Sequence, residues 1–163
     1  STASLQRDAG TSLTSEKLAK LSPVQMIEAI IRRAGMVELS RAHRVLHDAC
    51  ALANIKTPTP DEVASALIER AYCLPQNQIF IARAEIMFSE TSKRALWCLL
   101  LQMLLKSETI HLNDFFSLSK STFSDIEPML ELLATRVGNQ RYTLKSLQAE
   151  PIPEVTLDLE KCK

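Results

Sequence analysis

The chain has 163 residues, of which 46% are hydrophobic and 23% charged, a balance ordinary for a globular protein and unlike that of a disordered one. Lysine plus arginine and aspartate plus glutamate both number 19, so the basic surplus typical of proteins that grip phosphates is missing, and a general nucleic-acid binder is disfavoured. The longest apolar run, residues 95–105, is interrupted by Gln102 and is too short to span a bilayer, so no membrane partner is expected.

Residues 1–20 are rich in Ser, Thr, Lys and Asp and read as a mobile lead-in, with one helical turn near Glu16. Ser22-Pro23-Val24-Gln25 then has the grammar of a helix start: a cap, proline at the first position and glutamine at the third. Val24, Ile27, Ile30, Ile31 and Ala34 make its apolar stripe, and Gly35 ends it. Met36–Leu39 alternates as a short strand. Ser40 reads as the cap of a helix whose buried face is Ala42, Val45, Leu46, Ala49, Cys50 and Ala53. After a loop over residues 54–58, Thr59 and Glu62 form a capping box around Pro60. Val63, Leu67, Ile68, Ala71 and Tyr72 continue at helical spacing. Pro75-Gln76-Asn77-Gln78 is a turn, and Ile79-Phe80-Ile81 a strand.

Arg83 to Glu90 is a connector whose Ile86, Met87 and Phe88 need a place to bury. The same order of elements then returns. Thr91 or Ser92 caps a long helix with Leu96, Leu99, Leu100, Met103 and Leu104 on its core face, while Trp97 and Leu101 widen the apolar surface. Thr109–Leu112 repeats the short strand, and Asn113 answers Ser40 as a cap. Phe115, Phe116 and Leu118 anchor a short helix. Ser124 and Glu127 read as a second capping box, Pro128 as a first-turn proline, and Ile126, Met129, Leu130, Leu133 and Val137 as a second stripe. Gly138-Asn139-Gln140 is a turn, and Arg141–Leu144 a strand. From Ser146 the chain reads as an irregular tail whose Val155–Leu159 suits an edge strand or a partner contact. The fold class expected is therefore mostly α with short β-hairpins (α+β), as tandem winged-helix domains: winged helix 1 over 21–84, a connector over 85–91, winged helix 2 over 92–145, and a tail over 146–163.

Residue chemistry points away from catalysis. There is no phosphate-cradling glycine loop, no HExxH and no nucleophile elbow, and the pairs Asp61-Glu62 and Asp125/Glu127 sit where helix starts favour acids. No catalytic, cofactor or metal residues are assigned. His43 and His47 have the i, i+4 spacing of a shared metal, but a third ligand is lacking and a solvated histidine flank is the better reading. Cys50, Cys73, Cys98 and Cys162 form no CxxC pair and read as free thiols of a reduced intracellular chain. The third helix of each half offers Asp61, Glu62, Ser65, Glu69 and Arg70, and Asp125, Glu127, Glu131, Thr135 and Arg136. Both sets are net negative, which phosphates would repel. Arg32, Arg33, Arg41 and Arg44 are the residues on which a direct DNA contact would rest. For partner proteins the candidates are Ile86, Met87 and Phe88, the turn Gln76, Asn77 and Gln78, and the tail after Glu150.

The runs LSPVQMIEAIIRRAGMV, IERAYCLPQNQIFIARAEIM and KRALWCLLLQMLL resemble the Sin-like fifth subunit of RNA polymerase III, over about Leu21 to Leu144. The resemblance implies a peripheral, non-catalytic polymerase subunit in the nucleus, bound to other polymerase subunits or transcription-complex proteins. The family's dimerisation barrel is not visible in the sequence, and the chain opens on Ser rather than Met. Both fit an expectation that this is the tandem winged-helix part of a longer protein. Two other readings stand beside it: a DNA-binding winged-helix transcription factor, and a winged-helix adaptor of an unrelated complex, such as a membrane-trafficking or ubiquitin-ligase assembly.

Overall fold

The computed structural model describes residues 13–148 and 151–157. It is 57% helix and 15% strand, with two small antiparallel sheets, which agrees with a mostly helical α+β chain. The described residues form two compact units. One is built from the chain up to Arg83 together with the chain from Leu147 onward, the other from Ala84–Ser146.

In the first unit, α1 (Ser15–Leu18) is followed by α2 (Pro23–Ala34), β1 (Met36–Glu38), α3 (Leu39–Ala53) and α4 (Pro60–Ile68), and a hairpin of β2 (Ala71–Leu74) and β3 (Ile79–Ala82) closes it. The helical turn expected near Glu16 is present, capped by Thr14, and Leu18 is fully buried, so this part of the lead-in belongs to the folded unit. Residues 1–12 lie outside the described residues. At α2 the reciprocal cap forms as the sequence suggests: Ser22 Oγ accepts the Gln25 N–H at 3.3 Å and Gln25 Oε1 accepts the Ser22 N–H at 3.0 Å. Gly35 stops the helix at φ 70°, where a side chain would be strained. The buried stripe is Met26, Ile27, Ile30, Ile31 and Ala34. Val24, expected in it, lies on its flank and is 52% exposed.

α4 starts on the expected Thr59–Glu62 box, with the Thr59 N–H donating to Glu62 Oε1 at 2.8 Å and the Glu62 N–H to Thr59 Oγ1 at 3.2 Å. It ends earlier than its apolar spacing suggested. Ala71 and Tyr72, expected on its stripe, are strand residues paired with Ala82 and Ile81. Pairing with the β-forming run Ile79-Phe80-Ile81 outweighs helical continuation there. The sheet order is β1-β3-β2, with Val37 opposite Phe80. Phe80, Ile81, Leu46 and Leu67 are all fully buried, and each therefore contributes on the order of 2 kcal/mol of transfer free energy.

The second unit repeats this layout: α5 (Ala84–Met87), α6 (Thr91–Lys106), β4 (Ile110–His111), α7 (Leu112–Ser119), α8 (Phe123–Leu133), β5 (Ala134–Gly138) and β6 (Arg141–Leu144), with sheet order β4-β6-β5. The connector is thus partly regular. α5 carries Ile86 and Met87, and the Phe88 ring meets Trp97 edge-on with centroids 5.7 Å apart. On α6 the core face is Trp97, Leu100, Leu101 and Leu104, while Leu96, Leu99 and Met103 are half-buried. The stripe is rotated from the one expected, because the largest side chain, Trp97, takes the centre.

Four expected caps differ, the Ser124–Glu127 box among them. Ser40 and Asn113 lie inside α3 and α7, and Glu90, rather than Thr91 or Ser92, stands at the N-cap of α6. α8 begins two residues before the expected start, where the Asp125 carboxylate accepts the N–H and hydroxyl of Thr122 at 2.9 and 3.0 Å. That shift places Pro128 inside the helix rather than in its first turn, where it forgoes one main-chain hydrogen bond. Val137 falls in β5 and is 53% exposed. In the tail, no strand forms over the described residues 151–157, and residues 158–159 of the suggested edge strand lie outside the described residues.

α3 has no side-chain cap, and at α7 His111 Nδ1 accepts the Asn113 N–H at 3.4 Å; both helices also use a carbonyl from the hairpin turn of their own unit. The Leu39 N–H donates to the Gln78 carbonyl and the Leu112 N–H to the Gln140 carbonyl, each at 2.9 Å. Both glutamines are left-handed, at φ 53° and 58°. A β-branched side chain tolerates that backbone poorly, so Gln140→Val should lower unfolding stability by roughly 1–2 kcal/mol. Gln140→Gly should not lose that amount. Urea melts of the two variants check this, and equal midpoints would contradict it.

Candidate functional site

In the first unit the tail, the tip of the hairpin and the start of α4 come together. The Gln78 side chain is buried, with 9% exposure. Its Oε1 accepts the Ile152 N–H at 2.8 Å and its Nε2 donates to the Ile152 carbonyl at 3.3 Å. At the first turn of α4, Asp61 Oδ1 accepts the Thr156 N–H at 2.8 Å and Oδ2 the Thr156 hydroxyl at 2.6 Å. The Thr156 hydroxyl and then its N–H hold the Asp61 carboxyl below its ordinary value. The Thr59 N–H and hydroxyl do the same for Glu62, and those of Thr122 for Asp125. These acids stabilise helix starts and tail contacts as carboxylates.

Two of the expected partner surfaces, the turn and the tail, therefore meet each other. Gln76 and Asn77 remain exposed at the hairpin tip, while Gln78 is committed twice, through its side chain and its main chain. Ile86, Met87 and Phe88 are half-buried. Phe88 also borders an open groove of about 990 Å³ in the second unit, whose lining includes Leu96, Leu99, Leu118, Pro128 and Met129 together with Lys93, Lys120 and Asp125. Leu118, expected as an anchor, is 66% exposed there. The groove was not anticipated. Its only sequence signal is the excess apolar width of α6, which shows that a helix has more than one apolar side but not which side stays open.

The four arginines are placed differently from one another. Arg32 and Arg44 are exposed, and Arg33 and Arg41 half-buried. Arg32 is bonded to Glu28 at 2.8 Å, and the other oxygen of Glu28 takes Arg70 Nε at 3.3 Å. One carboxylate thus serves two guanidiniums, and the positive charge of Arg32 is partly neutralised at the surface. His43 and His47 hold the loop before α4: His43 Nε2 lies 3.0 Å from the Pro58 carbonyl and His47 Nδ1 3.0 Å from Thr57 Oγ1. Among the described residues no group of three or more His, Cys, Asp or Glu is placed to hold a metal ion. None of the described helices is long and apolar enough to cross a membrane. Cys50 and Cys73 are buried free thiols and Cys98 is an exposed one. Burial pushes the Cys50 thiol up, which keeps it protonated and inert.

The sequence matches no protein-family model and no curated protein.

A carboxylate held below its ordinary value contributes to the folded contact above that value, about 3.9 for aspartate, and the contribution is lost as pH falls through the folded value. Thr156→Ala should therefore raise the Asp61 titration midpoint toward the ordinary value while leaving that of Asp125 unchanged. Carboxyl-carbon NMR titration of the parent chain and of this variant reads this directly. An unmoved Asp61 midpoint would mean that the tail does not rest on α4.

Proposed function

We propose that both units are winged helices, and that the chain is a non-catalytic structural subunit of a nuclear transcription complex similar to the Sin-like fifth subunit of RNA polymerase III. Its winged helices serve protein–protein contacts with other subunits of that complex. The winged-helix reading is supported by the repeated order helix, short strand, two helices, hairpin, and by the matching strand orders β1-β3-β2 and β4-β6-β5. The polymerase reading is supported by the sequence runs around residues 21–37, 68–87 and 93–105.

The observation that carries the protein-contact reading lies at α4. In a winged helix that reads DNA, the corresponding helix enters the major groove and presents basic or amide side chains to base edges. Here its first turn presents Asp61 and Glu62, and Asp61 is already bonded to the chain's own Thr156. An acidic, covered helix start is ill suited to a phosphate-lined groove. The apolar groove of the second unit is suited to a protein side chain.

Two measurements test the proposal. Tagged chain expressed in nucleated cells should co-purify with RNA polymerase III subunits, identified by mass spectrometry. Recovery of an unrelated assembly alone would replace the polymerase by an adaptor role. In a gel shift with duplex DNA, no retardation is expected even at low salt. Retardation that strengthens steeply as salt falls, and is lost in Arg33→Ala/Arg44→Ala, would favour a DNA-binding factor instead.

A further inference from the structure

The tail contact has the chemistry of a recognition site. Gln78 offers a primary amide, an acceptor and a donor side by side, and both are spent on the main chain of one residue, Ile152. Such a contact accepts any side chain at that position but requires an N–H, so proline is excluded there. The following residues fold back on themselves. The Val155 N–H donates to the Ile152 carbonyl at 3.3 Å, and Pro153 occupies the second position of this turn, where its fixed φ is favourable. The residue after the turn is Thr156, whose N–H and hydroxyl fill both oxygens of Asp61. Asp61 thus reads a hydroxyl, while Gln78 reads backbone.

Pro151 and Pro153 flank the residue that Gln78 holds. They restrict the free segment and so lower the conformational entropy lost when it docks. The two anchor points are on different elements, the hairpin tip and the start of α4, and they are spaced to match residue 152, which opens the turn, and residue 156, which follows it. Neither is needed to complete the core. α4 already has its Thr59–Glu62 cap, and the hairpin is already fixed to α3 by the Gln78 carbonyl.

We propose that this face of the first unit is a binding site for a prolyl-turn peptide of the form x-Pro-x-x-Thr, filled in cis by Ile152–Thr156 of the same chain. A partner protein presenting a turn of that form binds there by displacing the tail. The inference rests on the contacts of the first unit and stands whether or not the chain belongs to a polymerase.

The test uses the full chain with its tail disengaged. Ile152→Pro removes the N–H that Gln78 accepts, and Thr156→Ala removes the hydroxyl that Asp61 accepts. A fluorescent peptide Pro-Ile-Pro-Glu-Val-Thr-Leu is titrated by anisotropy. It should bind the double variant at least about tenfold more tightly than the parent chain, in which the tethered tail competes at high effective concentration. Adding Asp61→Ala or Gln78→Ala to the double variant should abolish that binding. No binding to the double variant at millimolar peptide, or binding indifferent to Asp61→Ala, overturns the proposal. A second measurement on the parent chain is independent of peptide affinity. The Ile152 and Thr156 amides should be protected from hydrogen exchange, and Asp61→Ala should release Thr156. Equal exchange in both proteins also overturns it.

Discussion

One hydrogen bond in each unit carries its architecture: the first N–H of α3 or α7, given to the carbonyl of a left-handed glutamine in the hairpin turn of that unit. Leu39 and Leu112 are buried at the junction of a short strand and a helix. Their N–H groups have no intrahelical acceptor, and Glu38 provides no side-chain cap for α3. The carbonyls of Gln78 and Gln140 fill that role, and in doing so fix the hairpin over the helix start. A backbone at φ 53° or 58° is the geometry that turns the carbonyl toward this partner. The strain is small and local, and the surrounding strand pairs over-determine it. That the same bond recurs at Leu39–Gln78 and Leu112–Gln140, at the same length, is the best structural sign that the two units share one plan.

From that shared plan the units diverge in what they leave open. In the first, the hairpin tip and the start of α4 are engaged by the tail, through an amide that reads backbone and a carboxylate that reads a hydroxyl. In the second, Leu96, Leu99 and Leu118 line a groove together with charged residues. The chemistry offered outward is carboxylate, amide and apolar side chain. Arg32 is shared into the Glu28–Arg70 cluster. Such a surface suits contacts with other proteins, in keeping with the proposed place in a transcription assembly.

Much of the fold was legible because local rules agree with tertiary structure. The boxes at Ser22–Gln25 and Thr59–Glu62, the stop at Gly35 and both hairpin turns rest on residues whose conformational preferences are strong. Apolar periodicity was a weaker guide at element ends. It carried α4 into Ala71 and Tyr72 and carried α8 into Val137, since strand residues next to a helix can continue its spacing by chance. Ser40 and Asn113 looked like caps, but the acceptor lies about thirty or forty residues away, beyond any local pattern. The candidate site was legible only in pieces. Gln76 to Gln78 and the tail were both marked as partner surfaces, yet nothing in their spacing says that they bind each other. Asp61 was explained by the helix dipole alone, and its second use by Thr156 needs the folded chain to be seen.

The distance along the chain between Asp61 and Thr156, 95 residues, sets an order of events. Chains are made from the amino terminus, and domains fold as they emerge. The helices and hairpin up to Arg83 can close on one another while the residues that will cover them are still unsynthesised. During that interval the start of α4 and the hairpin tip are bare on a folded unit. A competing segment then meets no resident tail, and association during synthesis is the moment at which exchange costs least.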